Sequence, residues 1–260
     1  MPPYELPVLT EQLHLFAAGP RHAGGGIMLD PALAPGDTPW RWLEPAFYGN
    51  AAYPIQGLGG RGAAWFVMLP DGIPAALRHY RRGGWPAKVG LHEKYLWRSI
   101  DQTRCLTEFR LLTFLRGHGL AVPRPLAAGW WRDGLFYRQA LLTEQILNVR
   151  SLANLLRERA FDDIPWTRIG EAIGLLHRTF VIHPDLNAHN ILIGDDDTPW
   201  LIDFDRGNIV DLTPTRLSGN MHRLERSIRK ILDGPAPPQW RILYQRWRDV
   251  FDGKIRPPRR

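Results

Sequence analysis

The sequence predicts an α+β protein in which a small antiparallel-sheet lobe is followed by a mostly helical lobe. Three observations support this prediction. Strand-like segments joined by Gly- and Pro-containing turns occupy much of the first half of the chain. Apolar residues recur at helical spacing over residues 101–118 and through most of the second half. The 260 residues are near the upper limit for one hydrophobic core, and chains of this size commonly form two lobes.

The order of these elements divides the chain into three segments. Residues 1–50 are rich in Pro, Gly and Ala and are predicted to be an irregular N-terminal extension, with one short helix around Thr10 to Phe16. Residues 51–145 are predicted to form the sheet lobe. Residues 146–260 are predicted to form the helical lobe.

The sheet lobe is predicted to begin with three strands between residues 56 and 80. A Gly-rich turn joins the first pair of strands, and the Pro-Asp-Gly run at 70–72 is a turn signal between the second pair. Residues 101–118 then form the main helix of this lobe. A hairpin follows around the Asp-Gly pair at 133–134.

In the helical lobe, Ser151 is a candidate N-cap for a first helix, and Asp163 with Pro165 opens a second helix. A loop, a strand, an acidic turn and another strand are predicted over residues 181–207. Residues 216–251 are predicted to be helical and are strongly basic.

Composition narrows the class of protein. The single cysteine, Cys105, excludes an intramolecular disulfide and a cysteine cluster for zinc, and its apolar helical surroundings predict a core residue. The N-terminus lacks the pattern of a secretory signal, and no apolar run is long enough to span a membrane, so a cytoplasmic location is expected. The net charge of +7 favours polyanionic partners. Nucleic acid is an unlikely partner, because the chain has no recognised nucleic-acid-binding motif.

The run from His183 through Asp185 to Asn190 is the most informative motif. An aspartate followed five residues later by an asparagine, directly before the apolar run ILI, is typical of the catalytic loop of kinases. In that chemistry the aspartate accepts the proton of the attacking hydroxyl, and the asparagine oxygen helps to hold a metal ion. Asp203 follows within LIDFD, where a carboxylate after an apolar strand can bind Mg²⁺ that bridges the phosphates of ATP. The combination predicts an ATP- and Mg²⁺-dependent phosphotransferase.

Gly57, Gly59 and Gly62 form a G-x-G-x-x-G motif directly before the segment AAWFV. The same spacing occurs in dinucleotide-binding turns, but those require a helix after the last glycine. Since AAWFV is predicted to be a strand, the motif favours a Gly-rich hairpin that covers nucleotide phosphates.

The next predicted strand ends in Arg78, where a kinase site needs a cation for the α- and β-phosphates. Glu108 on the main helix is the candidate carboxylate partner of this cation. Arginine replaces the usual lysine, and it can contact phosphate in a bidentate manner. Lys88 is a weaker candidate for the same role. The alternative interpretation is that Arg78 and Glu108 are unrelated surface charges.

From about Gly57 to Gly207, the chain resembles the 3-deoxy-D-manno-octulosonic acid (Kdo) kinase family, which is related to lipopolysaccharide heptose kinases and to protein-kinase-like phosphotransferases. The strings that carry the resemblance are GRGAAWFV, LRHYRRGG, VPRPLAAG, HPDLNAHNIL and LIDFDRG. The resemblance implies a protein-kinase-like bilobal fold and the use of ATP and Mg²⁺. It also implies phosphorylation of the 4-hydroxyl of Kdo on a lipid A precursor, a glycolipid, at the cytoplasmic face of the inner membrane. By motif match, Asp185 takes the proton-acceptor role, and Asn190 and Asp203 bind the metal.

The motif departs from the protein-kinase pattern at two positions. Asn187 stands where the catalytic loop of protein kinases has lysine, and Asp205 stands where DFG has glycine. These departures favour a small-molecule or glycolipid acceptor over a peptide. A heptose or other small-molecule kinase of the same fold remains an alternative. A pseudokinase-like binding module is an alternative of another class, for which Arg78 in place of lysine is the one supporting feature.

An acceptor held in an anionic membrane would attract basic surfaces. The sequence offers two candidates for such a surface, namely residues 79–82 and the predicted helix that carries Arg223, Arg226, Arg229 and Lys230. For any single arginine of these segments, ordinary solvated charge is the simpler interpretation.

Overall fold

The computed structural model of the protein describes residues 2–9, 12–16, 24–33, 39–54, 63–80 and 95–255. The chain divides into two compact units. The first, called the sheet unit here, comprises Val8–Arg110 and Arg124–Gln145. The second, called the helical unit, comprises Met1–Pro7, Leu111–Pro123 and Ile146–Arg260.

In the described ranges, the sheet unit contains one antiparallel sheet of eight strands, in the order β1-β2-β7-β8-β5-β4-β3 with β6 also beside β8. The strands are β1 (Leu13–Phe16), β2 (Gly25–Leu29), β3 (Tyr53–Pro54), β4 (Ala63–Met68), β5 (Pro74–His79), β6 (Tyr95–Leu96), β7 (Pro125–Asp133) and β8 (Phe136–Glu144). Two short 3-10 helices, Pro39–Leu43 and Pro45–Ala51, lie between β2 and β3. Apolar side chains from β2, β5, β7 and β8 form the core of this unit.

Two of the three predicted turns of the sheet lobe are confirmed, and the third, the Gly-rich turn, lies outside the described residues. Between β4 and β5, the Leu69 N–H donates to the Ile73 carbonyl at 3.0 Å, and Gly72 has a φ of +76°. Between β7 and β8, Gly134 has a φ of +60°. Because glycine adopts positive φ at no steric cost, these two glycines determine where the strands reverse.

The predicted irregular extension over residues 1–50 is not what the described part of this segment shows. Leu13–Phe16, which was predicted as part of a short helix, is strand β1, and Gly25–Leu29 is strand β2. The physical reason is the Trp130 ring of β7, which lies over Gly26 so closely that a Cβ there would be 2.1 Å from the ring. The glycines that suggested irregular chain are therefore the residues that let β2 pair with β7.

Helix α1 (Arg104–Gly117) confirms the predicted main helix, and it is followed by Gly119 at a φ of +80°. Cys105 is fully buried, as predicted for a core residue, and burial raises the pKa of its thiol. Leu111–Pro123, which is the second half of α1 and the segment after it, belongs to the helical unit, whereas the sequence predicts it as part of the sheet lobe. Leu201 explains this difference, since its N–H donates to the Ala121 carbonyl at 3.0 Å.

The helical unit contains helices α2 (Leu152–Arg157), α3 (Trp166–Arg178), α4 (Pro214–Leu232) and α5 (Trp240–Phe251) in its described part. Strands β9 (Val149–Ser151), β10 (Ile191–Gly194) and β11 (Pro199–Leu201) form a small antiparallel sheet in the order β11-β10-β9. Ser151 caps α2 as predicted, since its Oγ accepts the Asn154 N–H at 3.1 Å. No helix in the ranges described above is long and apolar enough to cross a membrane.

Helices α3 and α5 approach each other closely because of two glycines. A Cβ on Gly170 would lie 2.4 Å from the Leu243 carbonyl oxygen, and one on Gly174 would lie 2.8 Å from the Cβ of Val250. Any larger residue at either position would push the helices apart. This close packing brings the side chain of His177 in α3 against Trp247 in α5, where the two rings meet edge to face.

Candidate active site

The predicted catalytic loop lies between α3 and β10 and is held in shape by its own side chains. The Asn187 Oδ1 accepts the backbone N–H groups of His189 at 2.8 Å and Asn190 at 3.2 Å. The Asn190 Nδ2 donates to the backbone carbonyl of Asp185 at 2.9 Å. These bonds order the backbone on both sides of Asp185 while its carboxylate stays 58% exposed. A carboxylate in this setting is accessible to a hydroxyl substrate.

His183 fixes the start of the loop from inside the protein. Its ring is fully buried, its Nδ1 accepts the Asp185 N–H at 3.1 Å, and its Nε2 lies 2.9 Å from the Ile202 carbonyl oxygen. A ring that accepts at Nδ1 and donates at Nε2 must be neutral. Burial accordingly lowers the pKa of His183 to about 4. The histidine of the H-P-D motif is therefore a positioning residue that connects the catalytic loop to the segment after β11.

A chain of buried hydrogen bonds extends from this loop to the C-terminal helix. The Asn220 Nδ2 on α4 donates to the His183 carbonyl at 2.8 Å, and the Asn220 Oδ1 lies 3.1 Å from the His177 Nε2. The Trp247 Nε1 on α5 in turn donates to the His177 Nδ1 at 2.8 Å. Burial lowers the pKa of His177 to about 4, so this ring is also neutral at neutral pH. Three helices thus hold the catalytic loop through groups whose hydrogen bonds are mutually satisfied.

Asp203 follows β11 and has a φ of +64°, a conformation that aspartate and asparagine adopt more readily than most residues. The preceding residue, Ile202, donates its N–H to the Asn190 carbonyl at 3.1 Å and accepts from His183. The Phe204 ring packs on the His183 ring at a centroid distance of 4.5 Å. The structure therefore brings the backbone beside Asp203 against the catalytic loop, as the sequence pattern anticipated.

The donor groups of Asn190 and Asp203 suit a hard divalent cation. Because the Asn190 amide nitrogen is engaged with the Asp185 carbonyl, the amide oxygen is the atom left to act as a ligand. Amide and carboxylate oxygens are the ligands that Mg²⁺ prefers, and in kinases the substrate phosphates complete its coordination. The residues present therefore fit a magnesium ion, and their metal-binding role stays a prediction.

In the sheet unit, Arg78 and Glu108 form the ion pair that the sequence predicted. The Arg78 Nη2 lies 2.5 Å from the Glu108 Oε2, and the Tyr80 hydroxyl also donates to this oxygen at 2.5 Å. Glu108 is only 3% exposed, which excludes the alternative of an unrelated surface charge. Arg78 and Tyr80 lie two residues apart, on the same face of the sheet, and so reach the same carboxylate. The role of Arg78 toward nucleotide phosphates stays a prediction.

If Arg78 is the cation that binds the α- and β-phosphates, we expect Arg78→Ala to raise the KM for ATP and to lower turnover. Arg78→Lys should restore only part of the activity, since a point charge replaces a planar fork. Steady-state kinetics of Arg78→Ala, Glu108→Gln and the double variant form a mutant cycle in which the two changes should be non-additive. Strict additivity would show that the pair has no joint role, and Lys88 would then be the residue to test.

Several predicted positions lie outside the described residues. They are Gly57, Gly59, Gly62 and Lys88, together with Arg81 and Arg82 of the first candidate membrane surface. The two described residues of that surface, His79 and Tyr80, do not form an exposed charged patch. Tyr80 is buried, and the His79 Nε2 is hydrogen-bonded to the Leu43 carbonyl at 2.7 Å.

Sequence reasoning missed the part that α4 plays at the site. The sequence does not distinguish Asn220 or Ser227 as site residues, and it predicts Arg223 as part of a membrane-facing surface. In the structure, the Arg223 Nη1 lies 3.3 Å from the Asp185 Oδ1. No local pattern distinguishes these residues from ordinary polar positions of an amphipathic helix, because their partners are about 40 residues away in the sequence.

An exposed aspartate on an ordered loop, followed by the two candidate metal ligands, defines a phosphotransferase of the protein-kinase type. Comparison with known proteins agrees with this class. A solved structure of WaaP in complex with acyl carrier protein matches 89% of this chain and 89% of that chain, with a TM-score of 0.56 and 17% sequence identity. At this identity, the similarity shows a shared protein-kinase-like fold.

Sequence comparison identifies the family. The lipopolysaccharide kinase (Kdo/WaaP) family matches residues 46–246. A 3-deoxy-D-manno-octulosonic acid kinase of Stenotrophomonas maltophilia (strain R551-3) is 45% identical over 212 residues, which cover 81% of this chain and 83% of the relative. The protein of the same name from Xanthomonas oryzae pv. oryzae (strain PXO99A) is 47% identical over 190 residues, covering 73% and 74% of the two chains. The chain belongs to the lipopolysaccharide kinase (Kdo/WaaP) family.

Proposed function

We propose that the protein is a Kdo kinase of lipopolysaccharide core biosynthesis, which transfers the γ-phosphoryl group of ATP to the 4-hydroxyl of a Kdo residue on a lipid A precursor. The observation that carries this proposal is the high identity, over most of the chain, to relatives named 3-deoxy-D-manno-octulosonic acid kinase. The ordered catalytic loop supports it, because Asp185, Asn190 and Asp203 stand in a setting suited to phosphoryl transfer.

In this mechanism, Asp185 orients the acceptor hydroxyl and takes its proton as the hydroxyl oxygen bonds to the γ-phosphorus. The bond from that phosphorus to the β–γ bridging oxygen breaks, and ADP leaves with the electron pair. Asn190 and Asp203 would hold Mg²⁺, which neutralises charge on the phosphates when it is bound. Arg78 is the proposed contact for the α- and β-phosphates, and Gly57, Gly59 and Gly62 are proposed to cover them.

Mass spectrometry of a Kdo-bearing lipid A precursor incubated with the protein, ATP and Mg²⁺ tests the proposal. We expect a mass gain of one phosphate, which NMR should place on the 4-oxygen of Kdo. The Asp185→Asn variant is the control for contaminating kinases. Phosphorylation only of a heptose-bearing acceptor would support the alternative of a heptose kinase. Failure to turn over ATP with any acceptor would support the pseudokinase-like alternative.

We also propose that the protein acts as a peripheral protein on the cytoplasmic face of the inner membrane, since an acceptor with acyl chains stays in the bilayer. The exposed basic residues of α4, namely Arg226, Arg229 and Lys230, support this proposal. Each basic side chain near an anionic surface contributes on the order of 1 kcal/mol. Binding should therefore be weak, reversible and dependent on salt.

We expect the protein to sediment with anionic vesicles at low salt and to be released as salt rises. Replacing Arg226 and Arg229 together by glutamate should weaken this binding by about tenfold or more, since two attractions become repulsions. The double change of Arg241 and Arg248 on α5 to glutamate is the matched control, because it alters net charge equally. Equal binding to anionic and zwitterionic vesicles, unchanged by salt, would instead indicate insertion of apolar side chains.

A further inference from the structure

One face of α4 is built to hold the catalytic loop. Asn220, Arg223 and Ser227 are spaced three and four residues apart, which places them on the same side of a helix. The Asn220 Nδ2 donates to the His183 carbonyl at 2.8 Å, and the Ser227 Oγ accepts the Ala188 N–H at 3.1 Å. These two bonds lie one turn before and one turn after Arg223. They set the position of its backbone relative to the loop.

The Arg223 side chain extends from this fixed position to the reaction centre. Its Nη1 lies 3.3 Å from the Asp185 Oδ1, and in the described part of the chain Asp185 is its only hydrogen-bond partner. The side chain is 47% exposed. A guanidinium group has five N–H donors, so most of them are available to a second ligand.

An arginine at this place can recognise the acceptor. Because Asp185 must touch the hydroxyl that receives the phosphoryl group, groups beside Asp185 lie next to the acceptor sugar. A sugar acid carries a carboxylate, and the planar guanidinium fork matches a carboxylate in a bidentate manner. We infer that Arg223 is a specificity-determining residue that binds the carboxylate of the acceptor sugar acid. This inference rests on the proposed function.

The residue at position 187 raises a second possible role for Arg223, which is to bind the transferred phosphoryl group instead of the acceptor carboxylate. Protein kinases have a lysine at this position of the catalytic loop. The Asn187 side chain instead donates to Asp185 and accepts from the loop backbone, and it carries no charge. Arg223 would then be a nearby cation for the transferred phosphoryl group itself. Such a role would affect every acceptor equally, whereas recognition of a carboxylate depends on the acceptor.

The test is a double-mutant-type cycle, in which kcat/KM is measured for the wild-type protein and for variants at Arg223 on two different acceptors. Two acceptors are presented in detergent micelles, the Kdo-bearing lipid A precursor and a synthetic analogue whose Kdo carboxylate is a primary carboxamide. With the wild-type protein, we expect kcat/KM to fall about tenfold or more on the carboxamide, as for loss of a charged hydrogen bond. On the natural acceptor, Arg223→Gln should lower kcat/KM by a similar factor relative to wild type, mainly by raising the KM for acceptor. On the carboxamide, the variant should have nearly the same kcat/KM as the wild-type protein. Arg223→Lys should recover part of the loss.

The outcomes distinguish failure of the proposed function from failure of the inference about Arg223. Wild-type protein that phosphorylates neither acceptor would overturn the proposed function together with this inference. Wild-type protein that uses both acceptors equally well would overturn the inference alone. If Arg223→Gln lowers kcat/KM equally on both acceptors, the inference is also overturned. Arg223 would then act by positioning Asp185 or by binding the transferred phosphoryl group. Arg248→Gln, an exposed arginine of α5, is the matched control for the change from arginine to glutamine.

Discussion

Asp185→Asn should reduce phosphoryl transfer by about a hundredfold or more, because removing a general base typically costs that factor. The substitution leaves the loop intact for a reason visible in the structure. Two of the bonds that position residue 185 run through its backbone, to the His183 Nδ1 at 3.1 Å and from the Asn190 Nδ2 at 2.9 Å. An asparagine keeps both bonds and nearly the same volume. We therefore expect loss of turnover without loss of stability.

Transfer to the Kdo-bearing acceptor and the thermal midpoint of the same preparation measure the two parts of this prediction. Asp195→Asn is the matched control, since Asp195 is an exposed acid in the turn between β10 and β11. It makes the same chemical change in the same unit. Near-normal turnover by Asp185→Asn would contradict the role assigned to this carboxylate.

Asp203→Asn is expected to have an effect of similar size. The substitution removes the negative charge of one of the two proposed metal ligands, which weakens metal binding. Metal stabilisation of charge is worth several kcal/mol in the transition state, or about a hundredfold or more in rate. Asparagine tolerates the left-handed backbone at a φ of +64° as well as aspartate does. The change therefore tests the charge of the side chain without adding backbone strain. Higher Mg²⁺ concentrations should recover part of the lost activity.

Asp203→Ala provides the comparison that separates charge from conformation. It should lose activity to a similar degree, and it should also lose stability on the order of 1 kcal/mol, because alanine is strained at this backbone angle. Activity as a function of Mg²⁺ concentration and thermal unfolding distinguish the two variants. An Asp203→Asn protein with unchanged activity and an unchanged Mg²⁺ requirement would remove Asp203 from the metal site.

The sequence by itself determined the features that depend on neighbouring residues. The turns at Gly72 and Gly134, the cap at Ser151 and the main helix are all local, since each follows from the conformational preference or hydrogen bonding of a few adjacent residues. The candidate catalytic residues were also visible, because the D-x4-N spacing and the following strands keep them within one short segment.

Only the tertiary structure decided the features that depend on distant partners. Gly25 and Gly26 indicate irregular chain until β7 is placed beside them. A Cβ on Gly25 would then meet the Trp130 carbonyl oxygen, and one on Gly26 would meet the Trp130 ring, so both glycines become part of a strand. Arg223 is one more basic residue on an amphipathic helix until Asn220 and Ser227 dock that helix on the catalytic loop. In both cases the deciding contact joins residues far apart in the chain. Local conformational propensity cannot predict such a contact, because it depends only on neighbouring residues.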